Sequence, residues 1–103
     1  MPPTPFRYLS AEEQVALAAT ALRRALASFK SHRATLRARR LLDEVVPAYM
    51  QTPLDRAQFV HVLEQLCGSV VEDELGRRWR VMWLRKDGHN RTVVTLRRLA
   101  QVG

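Results

Sequence analysis

The sequence predicts a small α+β protein: a three-helix bundle followed by a β-hairpin or a short three-stranded antiparallel sheet. Three observations carry this. Over roughly the first two thirds of the chain, apolar residues recur three and four apart, as on the buried face of an amphipathic helix. From Ser69 onward the period falls to two and the residues turn β-branched and aromatic. Between the two regimes stands Gly68, where a left-handed helix cap is expected. A chain of 103 residues supports one core and leaves nothing for a second domain.

Residues 1–9, with Pro2, Pro3 and Pro5, show neither period and read as a flexible arm ahead of a single domain over residues 10–103. Ser10-Ala-Glu-Glu13 has capping-box spacing, so a first helix is expected from about Ala11 to about Lys30. Val15, Ala18, Leu22, Ala25, Leu26 and Phe29 form its inward face. After a break at Ser31-His32, the stripe Ala38, Leu41, Leu42, Val45 and Val46 lies opposite Arg33, Arg37 and Arg40. This predicts a second helix, ended or kinked by Pro47, with residues 48–51 as a last turn or loop. Thr52-Pro53-Leu54-Asp55 supplies a hydroxyl cap, a proline at the first helical position and a carboxylate at the positive end of the helix dipole. A third helix over residues 53–67 follows, with Phe59, Val62, Leu63 and Leu66 facing inward. Strands are then expected at 69–72, 78–86 and 91–99, separated by a turn at 74–76 and a hairpin loop at 87–90. On the 78–86 strand, Trp79, Val81 and Trp83 share a face by alternation and are expected in the core, with base-stacking platforms as the alternative for the two tryptophans.

The only cysteine, Cys67, has no partner for an internal disulfide, which fits a reducing compartment. The longest apolar stretch, residues 15–22, is far shorter than a membrane span and runs into Arg23 and Arg24. No secretory or mitochondrial targeting pattern is recognisable at the start, so a cytoplasmic protein without a membrane partner is expected. Catalysis has little support. His32, His61 and His89 are scattered, and the sequence has no Gly-rich phosphate loop, zinc-ligand spacing or paired acid/base carboxylates. The expectation is a non-enzyme with no catalytic residues, no cofactor and no metal.

The charge pattern says more. The net charge is +7, from 15 Arg and two Lys against ten acids. By segment it is −1 over residues 1–22, +7 over 23–40, −6 over 41–76 and +7 over 77–103. Two basic blocks flanking an acidic middle are a footprint of polyanion binding. Pairing of basic with acidic elements inside one fold is the alternative: Arg39 with Asp43 and Arg40 with Glu44 have the spacing of helical ion pairs.

Three helices followed by a hairpin resemble the winged helix-turn-helix superfamily. The likeness rests on residues 52–84: the capped helix, the short strand, Asp73-Glu-Leu-Gly-Arg77, and Trp79-Arg-Val-Met-Trp83 as a wing strand. It implies a DNA-binding regulator of transcription, or an accessory factor, whose third helix reads a major groove. Thr52, Arg56, Gln58, His61 and Gln65 would be its candidate base contacts. That helix carries Asp55 and Glu64 against Arg56 alone, so phosphates would repel it. The nucleic-acid-binding candidates are therefore Arg33, Arg37 and Arg40 in the first block, and Arg77, Arg78, Arg80, Arg85, Lys86, Arg91, Arg97 and Arg98 in the second. Double-stranded DNA is the expected partner. The alternative is a protein-interaction adaptor or inhibitor that docks its basic hairpin on an acidic protein. Both hairpin strands are apolar on two sides, Met82 and Leu84 included, so a homodimer or a protein partner is expected to cover one side, with longer packing of the N-terminal helix as the alternative.

Overall fold

A computed structural model describes residues 4–100. A 3-10 turn at Phe6–Tyr8 leads into α1 (Ala11–Leu26), β1 (Arg33–Arg37) and α2 (Ala38–Val45). A second 3-10 turn at Ala48–Met50 precedes α3 (Pro53–Leu66), β2 (Val70–Glu72), β3 (Arg78–Lys86) and β4 (Thr92–Arg98). The strands form one antiparallel sheet in the order β1-β4-β3-β2. This is the α+β class that the sequence predicts, but the order of elements differs.

The difference lies at residues 33–37, expected as the first turns of the second helix. They form a strand between α1 and α2, and the sheet has four strands instead of two or three. Ala34 and Leu36 alternate inward against Leu96 and Val94 of β4, while Arg33, Thr35 and Arg37 face out. Pairing here covers the β4 edge that a lone hairpin would leave open. Helix α2 is left with eight residues, and Val46 closes it by donating its amide to the Leu42 carbonyl ahead of Pro47.

The strongest cap in the sequence forms as expected. The Thr52 hydroxyl accepts from the Asp55 amide, and the Asp55 carboxylate accepts from the Thr52 amide at 3.0 Å. Asp55 does more than favour the helix dipole, because its side chain is buried and also takes the Arg7 amide and guanidinium. Burial pushes its pKa up, but the Thr52 hydroxyl, the Arg7 and Thr52 amides and the Arg7 charge outweigh that and hold it below the usual carboxylate range. Gly68 takes the expected left-handed conformation, with φ +90°.

Within the stretch expected as a flexible arm, Phe6 is buried and Arg7 and Leu9 are half-buried, while Tyr8 is exposed. Phe6 is buried edge-on against Phe59 at 5.5 Å, and Gln14 on α1 donates its side-chain amide to the Phe6 and Leu9 carbonyls. One buried aromatic thus anchors a stretch whose prolines suggest no partner. Residues 1–3 of the arm lie outside the described residues.

Helix α1 ends four residues earlier than expected, and Arg77 accounts for the stop. Its guanidinium donates to the Leu26 carbonyl at 2.9 Å and the Ala27 carbonyl at 3.4 Å, meeting acceptors that a longer helix would have used itself. The core lies between the three helices and one face of the sheet, with Trp79, Phe59, Leu22, Leu41 and Leu96 among its fully buried members.

Candidate nucleic-acid interface

The opposite face of the sheet is open, and cross-strand register fixes what it displays. Arg33 of β1 stands opposite Arg97 of β4, and Arg97 stands opposite Arg80 of β3. The next outward row is Thr35, Thr95 and Trp83. The third is Arg37, Val93 and Arg85. All five arginines are exposed, whereas Val93 and Thr95 between them are buried. The two basic blocks, far apart in sequence, therefore meet on one surface through the β1–β4 pairing.

This arrangement is unfavourable taken by itself. Like charges directly opposite on one sheet face repel, and here three arginines stand side by side. Among the described residues the ion pairs are Arg7 with Asp55 at 3.2 Å and Arg77 with Asp73 at 2.7 Å, so no carboxylate lies within ion-pair distance of the rows. The pairs anticipated on α2 do not form either. Asp43 accepts instead from the Gln51 side-chain amide at 2.7 Å, leaving Arg39 and Arg40 exposed.

At the Arg37 end the face runs into a cleft of about 520 Å³ lined by Arg37, Arg39, Arg40, Asp43, Arg91 and Thr92. Its outer wall is the β3–β4 loop, held by Asp87, which accepts the His89 and Arg91 amides at 2.8 and 3.0 Å. Those two bonds hold the Asp87 pKa low, so the loop brace stays ionised. Arg39 belongs to this cluster although its helical spacing from Asp43 suggests a neutralised residue.

Trp83 departs from expectation. Alternation places it in the core with Trp79 and Val81, and those two are fully buried. Trp83 is 44% exposed. The register between β3 and β4 shifts between Val81 and Trp83, so Met82 occupies a bulge and every later residue of β3 changes face. Trp83 turns outward beside Thr95, and Leu84 turns inward to pack on the core. Helices lie over one face of the hairpin; on the other, Val93 is buried between Arg37 and Arg85, and Trp83 stays exposed.

The remaining candidates separate clearly. Arg78 is exposed opposite Glu72 in register, and Lys86 is exposed at the loop end of β3. Arg77 is structural: with the Trp79 indole N–H it donates to the buried Asp73 carboxylate, at 2.7 and 2.9 Å, while its other arm holds the end of α1. Burial pushes Asp73 up, yet the Trp79, Arg77 and Leu75 donors outweigh it and hold the carboxyl below its usual range. Arg98 is half-buried against the imidazole of His32. On α3, Thr52 belongs to the helix cap and Gln58 donates to Gln14 on α1 at 2.9 Å. Arg56 is half-buried, and only His61 and Gln65 of that set are exposed.

Among the described residues no cluster of three or more His, Cys, Asp or Glu is placed to hold a metal, and no helix is long and apolar enough to cross a membrane. Burial and the nearby Glu64 charge push the Cys67 thiol above its ordinary pKa, the opposite of an activated nucleophile. No protein-family model, curated protein or solved structure matches the chain.

Proposed function

We propose that this protein binds nucleic acid through the open face of its sheet, with arginines neutralising phosphates. The observation that carries the reading is the Arg33–Arg97–Arg80 row, in which both basic segments contribute to one uncompensated line of charge. Repulsion within the row opposes folding, and a phosphate backbone laid across it turns that repulsion into attraction. Arg37 and Arg85 extend the surface, and the cleft formed with Arg39, Arg40 and Arg91 continues it. The surface is complete within one chain.

The role that fits is a DNA-binding regulator or accessory factor, acting in the cytoplasm and without catalysis. As the finer description of the fold we propose a winged-helix-like arrangement, supported by α2, α3 and the β3–β4 hairpin following one another in the chain. The contact surface proposed here is the sheet and not α3, because the sheet face gathers five exposed arginines, of which Arg80 also donates to the Gly68 carbonyl, whereas α3 offers one half-buried arginine against Asp55 and Glu64. Titration of a labelled oligonucleotide at several salt concentrations tests the reading. Affinity is expected to fall steeply with salt through counterion release, and absence of binding at low salt refutes it.

A further inference from the structure

We propose that Trp83 is a stacking platform for an unpaired base, so that the sheet face takes single-stranded rather than duplex nucleic acid. This rests on the phosphate-binding reading above and adds the form of the ligand. The indole is 44% exposed in the row between the two arginine rows, about 7 Å from each at the ordinary rise of a strand. Its exposure has a specific structural cause. Without the bulge at Met82, alternation would put Trp83 on the inner face with Val81; the bulge gives up regular pairing and re-aims this side chain outward.

An apolar ring amid arginines suits one class of ligand. The bases of a duplex are paired and stacked on each other, so they reach an indole only after being flipped out. A duplex backbone laid here would press phosphates onto the indole and strip its water for no return. An unpaired strand offers base faces and phosphates alternately. One base covers Trp83, the phosphates on one side meet Arg33, Arg97 and Arg80, and those on the other meet Arg37 and Arg85. Stacking of this kind tolerates any base, so little sequence preference is expected.

The test compares a short oligo(dT) with a duplex of the same length, followed by tryptophan fluorescence and by anisotropy of a labelled strand. Trp79 is enclosed in the core, so quenching by the oligonucleotide reports on Trp83. The single strand is expected to quench and to bind more tightly than the duplex. Trp83→Ala is expected to weaken single-strand binding about 5- to 150-fold with little effect on the duplex, and Trp83→Phe to restore most of the loss. Unchanged single-strand affinity in Trp83→Ala, equal losses for both ligands, or preference for the duplex each overturns the stacking proposal. In those cases a steep salt dependence still upholds phosphate binding. No binding of either ligand at low salt overturns both.

Discussion

Replacing Arg97 by Gln isolates the conflict between charge and stability on the open face. Arg97 is the middle member of its row and faces Arg33 on one side and Arg80 on the other. Glutamine keeps much of the aliphatic stem and removes the charge. A like-charged cross-strand pair costs on the order of 0.2–1 kcal/mol, and the substitution relieves two of them. Two unit charges about 8 Å apart in water repel by a similar amount, about 0.5 kcal/mol. The free protein is therefore expected to gain about 1 kcal/mol at low ionic strength, or roughly 5 °C in Tm for a domain of this size. Urea and thermal unfolding read the gain directly. It should shrink toward zero in molar salt, where the screening length falls to about 3 Å. The same variant should lose about 0.7–0.9 units from the slope of log affinity against log salt. Loss of stability at low salt, or a gain that salt does not diminish, would show that Arg97 acts through its packing and not through repulsion.

Three further outcomes concern the fold that holds the face in place. Phe6→Ala removes a fully buried ring from against Phe59 and is expected to cost about 3–4 kcal/mol in urea denaturation; a value near zero would mean that the start of the chain is not anchored. Asp73→Asn leaves the mostly buried Arg77 without its counter-charge, and a loss of about 3 kcal/mol is expected in the same assay. Asp55 and Asp73 both have pKa values lowered by folding, so their contribution is complete above the usual carboxylate range and disappears as pH falls through the lower folded values. Stability measured against pH should accordingly fall on the acid side, with a smaller drop in Asp73→Asn; an identical drop would assign acid sensitivity to other groups.

Much of the scaffold was legible because local chemistry decided it. Thr52, Pro53 and Asp55 start α3, Gly68 ends it, and alternation sets the β3–β4 hairpin almost to the residue. What failed were decisions taken by tertiary contacts. Arg33-Ala-Thr-Leu-Arg37 alternates well enough for a strand, but it runs without a break into the stripe Ala38, Leu41, Leu42, and only the unpaired edge of β4 decides against a helix. A bulge leaves alternation unmarked, so nothing in Trp79-Arg-Val-Met-Trp83 tells which tryptophan leaves the core. Phe6 in a proline-rich stretch gives no sign of Phe59 as its partner.

The candidate face inherits both the success and the failure. Its arginines are identifiable by charge and segment, yet their meeting depends on β1 pairing with β4, which the local sequence does not show. Arg77 illustrates the opposite error: by charge it resembles its neighbours, but Asp73 and the last carbonyls of α1 occupy its guanidinium. Arg39 has the helical spacing to pair with Asp43, but Asp43 bonds Gln51 instead.

The most direct test compares the salt dependence of oligonucleotide binding for the unaltered protein with that of Arg33→Ala/Arg80→Ala/Arg97→Ala, both checked for folding by circular dichroism. Loss of three phosphate contacts should lower the slope of log affinity against log salt by about 2–3 units and weaken binding at low salt. Affinity and slope unchanged by the triple substitution, with the fold intact, would contradict the assignment of phosphate binding to this face.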